Sequence, residues 1–301
     1  MLLAAHFAGT TVACYLAALV LGRARWSWHS PRVAIVCWQA VGLALGLSAI
    51  GLPMSLGLAP YRTGTGTALW RLADDLAHGR LPAGMGITHL SLVGVGLGVG
   101  AALLGSTVRS LLGALRAQQR HRDLLALVAR DDPAAPGALV LDHPSAAAYC
   151  LPGVRPQVVV SAGTLSLLDR AQLAAVLSHE RAHADERHDL VLLPFSALCR
   201  ALPWANWLRT AQDRVALLVE MRADDKARRL HADGPLAGAL LRFATAGARI
   251  APAGALGLAD DHLDARVQRL LSAGRPPRLR GALALATTVA LLTVPVSLFL
   301  S

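Results

Sequence analysis

The chain has 301 residues, 54% hydrophobic and 16% charged, with a mean hydropathy of +0.47. An ordinary soluble domain carries about a quarter charged residues, so this composition indicates a membrane protein. A disordered chain, a collagen-like chain and a disulfide scaffold are excluded, because charge is low, Gly and Pro have no fixed period and four Cys are sparse. The net charge of +10 arises from 28 Arg and one Lys set against 16 Asp and only three Glu: Glu180, Glu186 and Glu220.

A helix that crosses a bilayer needs about 20 apolar residues. Four stretches free of Asp, Glu, Lys and Arg qualify: Met1 to Gly22, Val33 to Ala59, Leu81 to Val108 and Gly281 to Ser301. The first has no basic segment ahead of it, since the first positive charge is Arg23, so a span is expected rather than a signal peptide. Arg23, Arg25 and Arg32 follow span one, Arg109, Arg116, Arg120 and Arg122 follow span three, and Arg275, Arg278 and Arg280 precede span four. Arg enrichment marks the cytoplasmic side, which predicts a multi-pass protein of the cell membrane with both termini outside. Gly42 and Gly46, with Gly94 and Gly98, have the GxxxG spacing that lets helix backbones approach.

Three domains are expected: residues 1–108 with three spans, a cytoplasmic domain at 109–280, and a fourth span at 281–301. The long cytoplasmic segment Thr107 to Arg280 holds 23 of the 29 basic residues and 17 of the 19 acidic ones. Its excess positive charge suits anionic lipid, and no nucleic-acid motif accompanies it. Ser110 to Arg130 should continue the third helix out of the membrane. After the breakers Asp131 to Gly137, short apolar runs at Ala138 to Leu141, Ala146 to Leu151 and Gln157 to Ser161 read as strands. Asp169 and Gln172 form a capping-box signature for a helix through about Arg187, with Leu173, Val176 and Leu177 as its buried stripe. Further helices are expected at Asp189 to Leu202 and Ala205 to about Leu230.

Within the first of these helices stands His179-Glu180-Arg181-Ala182-His183, the HExxH pattern. Residues four apart share a helix face, so both imidazoles can reach one zinc ion while Glu180 flanks its water as general base. A shuffled chain of this composition would carry the pattern about 0.004 times. A third ligand is required, and Glu220, in the helical stretch Glu220-Met221-Arg222-Ala223-Asp224, is the candidate. Asp224 lies one turn further along, suited to accept the outer N–H of a zinc-bound His. Asp185 is a weaker ligand candidate, because two residues past His183 it points off the metal face. His188, His231, Arg222 and His143 are the open candidates for stabilising an oxyanion. Cys150 and Cys199 fall in the reducing cytoplasm, so no disulfide is expected.

These residues resemble the BlaR/MecR-type integral membrane zinc peptidases, whose hallmark is three spans, an HExxH domain with a Glu-x-x-x-Asp helix, and a fourth span. The resemblance implies a mainly α membrane protein, with a cytoplasmic α+β zincin-like metallopeptidase domain inserted between transmembrane helices 3 and 4. One Zn2+ per chain would be held by His179, His183 and Glu220, with Glu180 catalytic and Asp224 behind His179. It also implies that Val158, Val159, Val160 and Ser161 form an edge strand that pairs with the substrate backbone. The implied substrate is a protein, typically a transcriptional repressor of the BlaI/MecI kind. Sensor members continue into an extracellular penicillin-binding domain, whereas this sequence stops at Ser301. Direct β-lactam sensing is therefore not expected, and a signal would enter through the outer loop Pro60 to Arg80, the spans, or an oligomer or sensor partner. Two alternatives stand beside this reading: an HtpX/CAAX-type membrane protease of quality control or processing, and a non-catalytic, zinc-stabilised membrane sensor.

Overall fold

The apolar runs become long helices and the mixed middle segment becomes a sheet flanked by shorter ones. In the computed structural model, residues 2–82, 84–153, 155–246, 256–257, 263–272 and 278–300 are described. The chain opens with α1 (Leu2–Arg23), α2 (Trp26–His29), α3 (Pro31–Gly57), α4 (Thr65–Ala77) and α5 (Ile87–Val128). Strands β1 (Ala129–Asp131), β2 (Leu139–Leu141), β3 (Ala148–Leu151) and β4 (Gln157–Ser161) follow. Then come α6 (Ala162–Leu167), α7 (Arg170–Asp185), α8 (His188–Ala201), α9 (Asn206–Ala227), α10 (Asp233–Thr245), β5 (Leu256–Gly257), α11 (Leu263–Leu271) and α12 (Arg278–Leu300).

Two units divide the chain, one of Met1–Thr107, Leu198–Ala205 and Pro277–Ser301, the other of Val108–Ala197 and Asn206–Pro276. Four helices are long and apolar enough to cross a membrane: α1, α3, α5 and the Leu279–Leu300 stretch of α12. They suggest a multi-pass membrane protein.

In the first unit α3 packs against both α1 and α12. Met54, Leu58, Ala68, Leu72 and Val93 form an apolar cluster, with Phe299 against it. Two sequence expectations change here. The third apolar helix starts at Ile87 rather than Leu81, because Pro82 and Gly84, the latter at φ +89°, interrupt the backbone ahead of it. The GxxxG glycines named above are not where helices press together: a Cβ on Gly42, Gly94 or Gly98 would meet nothing within 4 Å, and one on Gly46 would meet Leu103 at 3.9 Å, an ordinary contact. The close approaches fall at Gly51 against Phe7, Gly57 against the His89 backbone and Gly96 against Met54. Spacing along one helix does not say which side its neighbour takes.

The second unit is built on a sheet of order β1-β2-β4-β3-β5. Alternation along β3 and β4 yields two buried faces. Ala148, Val158 and Val160 join Leu173, Val176, Leu177 and Phe243 on one side, while Tyr149, Leu151 and Val159 join Leu125 of α5 on the other. The Val158-Val159-Val160 run therefore reads as a strand buried on both faces.

That placement overturns the expected substrate edge. β4 is interior, paired parallel to β2 (Val160 opposite Val140) and antiparallel to β3 (Val158 opposite Cys150). Val158, Val159, Val160 and Ser161 are all buried, with both edges of their strand already hydrogen-bonded. Ser161 instead caps α6, accepting from the Thr164 amide at 3.1 Å and from the Ala147 amide at 2.9 Å.

Candidate metal centre

The capping box predicted at the start of α7 is present: the Asp169 carboxylate accepts from the Gln172 amide at 2.9 Å, and the Asp169 amide donates to Gln172 Oε1 at 3.2 Å. From that start, helix periodicity sends Leu173, Val176 and Leu177 to the sheet and brings His179, Glu180 and His183 into the interior, all with 0% exposure. The α7 helix ends at Asp185, and Arg187, at φ +50°, takes the left-handed conformation common at helix ends. The turn folds His188 back against His183.

Three potential ligand side chains converge. His179 Nε2 and His183 Nε2 are 3.1 Å apart, His179 Nε2 is 3.3 Å from Glu220 Oε2, and His183 Nε2 is 3.5 Å from Glu220 Oε1. Ligands about 2.0–2.1 Å from a tetrahedral ion stand about 3.3–3.4 Å from one another. The residues therefore fit a single zinc-sized cation.

The outer nitrogens support the same conclusion. His179 Nδ1 lies 3.0 Å from Asp224 Oδ1, a close though bent contact that favours a proton on Nδ1. His183 Nδ1 lies 2.9 Å from His188 Nδ1, and His188 Nε2 lies 3.6 Å from Glu186 Oε2. Glu186 is held by Arg222 through two bonds of 2.7 Å. With Nδ1 protons on both histidines, two lone pairs and a carboxylate point at one spot, an arrangement that calls for a cation.

Burial and charge set the titrations. Burial alone would depress His179, but Asp224 and Glu220 outweigh it and push it up to about 9. Burial raises the Glu180 carboxyl despite the two histidines, and neither of its oxygens has a hydrogen-bond partner among the described residues. Glu220 is held well below the usual carboxylate range against its burial, by His183 and Arg266. Asp224, likewise buried, is drawn down to about 2 by Arg266 and His179. Burial, reinforced by His183, takes His188 down to about 3.

Sequence reasoning missed Arg266. From α11 it reaches Asp224 at 2.6 and 3.0 Å and Glu220 Oε2 at 3.0 Å, with no exposure of its own. A signal existed: Arg266 lies three residues after Leu263 and four before Leu270, on the apolar face of its helix, where a charge needs a buried partner. The other candidates fall elsewhere. Asp185 pairs with Lys226 at 2.7 Å, His231 with Ser178 at 2.8 Å, and His143 accepts from the Ser145 amide at 3.1 Å. Cys150 is buried, and burial pushes its thiol up to about 12, which removes it as a nucleophile.

Residues 114–246 match the model of Peptidase family M48. The match covers α7 and α9, and therefore His179, Glu180, His183, Glu220 and Asp224. The matched family is one of metallopeptidases, usually dependent on zinc; the likeness covers less than half of the chain and does not single out the BlaR/MecR type. No curated protein and no solved structure matches the chain.

Proposed function

We propose that the protein is an integral membrane zinc endopeptidase. The observation that carries this reading is the convergence of His179 Nε2, His183 Nε2 and Glu220 within 3.5 Å of one another, beside a buried Glu180 with no hydrogen-bond partner among the described residues. A zinc ion held by those three side chains supplies Lewis acidity toward a peptide carbonyl and toward water. Glu180 is the general base: its carboxylate takes a proton from the attacking water and delivers it to the leaving amine, so that one peptide bond and one water become a carboxylic acid and an amine. Asp224 orients His179, and the His188–Glu186–Arg222 chain orients His183.

The protein inserts with both termini outside and the peptidase unit in the cytoplasm, as the Arg distribution favours. Its substrate is a cytoplasmic or membrane-proximal protein, in the finer reading a repressor of the BlaI/MecI kind. A further span within Leu190 to Leu208 would favour the quality-control alternative instead. The α8 helix has 14 residues, about 21 Å of rise, short of the roughly 30 Å hydrocarbon core.

The test compares wild type with Glu180→Gln, each purified and assayed for metal content, and then compares cleavage fragments across the proteomes of cells carrying either form. Both should hold one zinc per chain, and the variant should lose cleavage by at least about 100-fold. Equal cleavage by the two forms removes Glu180 as base. Bound zinc with no cleavage by either supports the sensor reading.

A further inference from the structure

Away from the metal cluster, the first unit holds a cleft of about 430 Å³ at the start of α1, the end of α3 and the start of α4. That volume lies in the range of small-ligand sites. Its apolar side is formed by Leu2, Leu3 and Leu58, and its polar side by Arg62, Thr63 and Thr65, with Ser55, whose hydroxyl donates to Leu52 O at 2.9 Å, also lining it.

Every charged or hydroxyl group that defines the polar side can donate. The Thr63 and Thr65 hydroxyls are buried and have no hydrogen-bond partner among the described residues, and Thr65 is only 1% exposed. A buried hydroxyl left without a partner costs stability, which a ligand oxygen would restore. Thr65 is also the first residue of α4, whose N-cap is Gly64 and which has no side-chain cap. The Thr65 and Gly66 N–H groups at this helix start have no acceptor within the helix and lie at the positive end of its dipole. Arg62 is exposed and held at φ +53°, a conformation unfavourable for a residue with a side chain. The nearest carboxylates along the chain are engaged elsewhere, Asp75 by Tyr61 at 2.8 Å and Asp74 by His78 at 3.4 Å. Among the described residues, no carboxylate lines the cleft.

We propose that this cleft binds a phosphate group, with the Arg62 guanidinium, the Thr63 and Thr65 hydroxyls and the α4 N-terminus as donors, and with the apolar side receiving any alkyl chain attached to it. Two sources share that chemistry: a phospholipid headgroup and a soluble phosphate. The site lies between the end of one apolar helix and the segment before the next, where occupancy can bear on how α3 and α4 meet.

Calorimetric titration of the full-length protein in neutral detergent tests this, with dihexanoyl phosphatidylglycerol and inorganic phosphate as separate probes. At least one should bind saturably, and Arg62→Gln and Thr65→Val should each weaken it about tenfold or more. Glu180→Gln should bind as wild type does, which separates this site from the peptidase reading. Tighter binding of the diester assigns a lipid, and binding of inorganic phosphate at equal or higher affinity assigns a soluble source. Absence of saturable binding of both probes, or unchanged binding in Arg62→Gln, overturns the proposal. Arg62 is exposed, so its variant decides the matter even if Thr65→Val does not fold.

Discussion

Arg266 of α11 grips Asp224 of α9 as a fork, Nε to Oδ2 at 3.0 Å and Nη2 to Oδ1 at 2.6 Å, with neither side chain exposed. The same guanidinium touches Glu220 at 3.0 Å. One cation thus offsets two buried carboxylates, one of them a candidate metal ligand.

Removing it should be severe. Arg266→Met leaves the buried Asp224 and Glu220 without their guanidinium partner and with only histidines beside them, a loss of about 3–5 kcal/mol of stability. Zinc affinity should fall about 10–100-fold, as for other losses behind a ligand. Thermal unfolding and a zinc titration on the same sample check both, and unchanged values in both would show that the fork is dispensable.

His188 should make the metal-free protein acid-sensitive in a definite window. Its folded value is near 3 against 6.5 for the free side chain, because burial and His183 disfavour the cation. Between those values the unfolded chain binds the proton and the folded one does not, so stability declines as pH falls from 6.5 toward 3. His179, raised to about 9, acts in a different window: its contribution is full below 6.5 and is lost as pH rises through 9. Denaturant titrations of the metal-free protein should show the acid slope reduced in His188→Gln between pH 6.5 and 3 and the alkaline slope retained. An identical acid slope in the variant removes His188 as its source.

The helix contacts in the first unit distinguish glycines that look alike in sequence. A Cβ at Gly57 would stand 2.6 Å from His89 O and 2.9 Å from Val93 N, whereas one at Gly94 meets nothing. Gly57→Ala should cost about 1–3 kcal/mol through overpacking, and Gly94→Ala should be neutral or stabilise by up to about 1 kcal/mol through helix propensity. Thermal unfolding in detergent ranks the two, and equal effects would contradict the packing described.

Asp169→Ala removes the capping box that starts α7. About 1 kcal/mol of stability should be lost, with zinc binding retained, since the cap lies more than two turns from His179. A loss of zinc binding at unchanged stability would contradict this separation.

Much of the site was legible because it lies on two helices with regular spacing. His179, Glu180 and His183 share one helix, and Glu220 and Asp224 another, so 3.6-residue periodicity groups each set before any tertiary structure is known. The capping box at Asp169 is equally local. By contrast, α4, α10 and α11 escaped notice: α4 and α10 begin without a side-chain cap, and each is shorter than 15 residues.

The sequence by itself determined four apolar segments of spanning length, the HExxH helix and the two residues of α9 that could complete it, because length, composition and helical period are properties of neighbours along the chain. Only the tertiary structure decided that β4 is an interior strand, that Gly57 and Gly96 rather than Gly42, Gly94 and Gly98 press against a neighbour, and that Arg266 and His188 stand behind the candidate ligands. Strand order, helix facing and the partner of a buried charge are contacts between distant residues, and for Arg266 and Asp224 the separation is 42 residues.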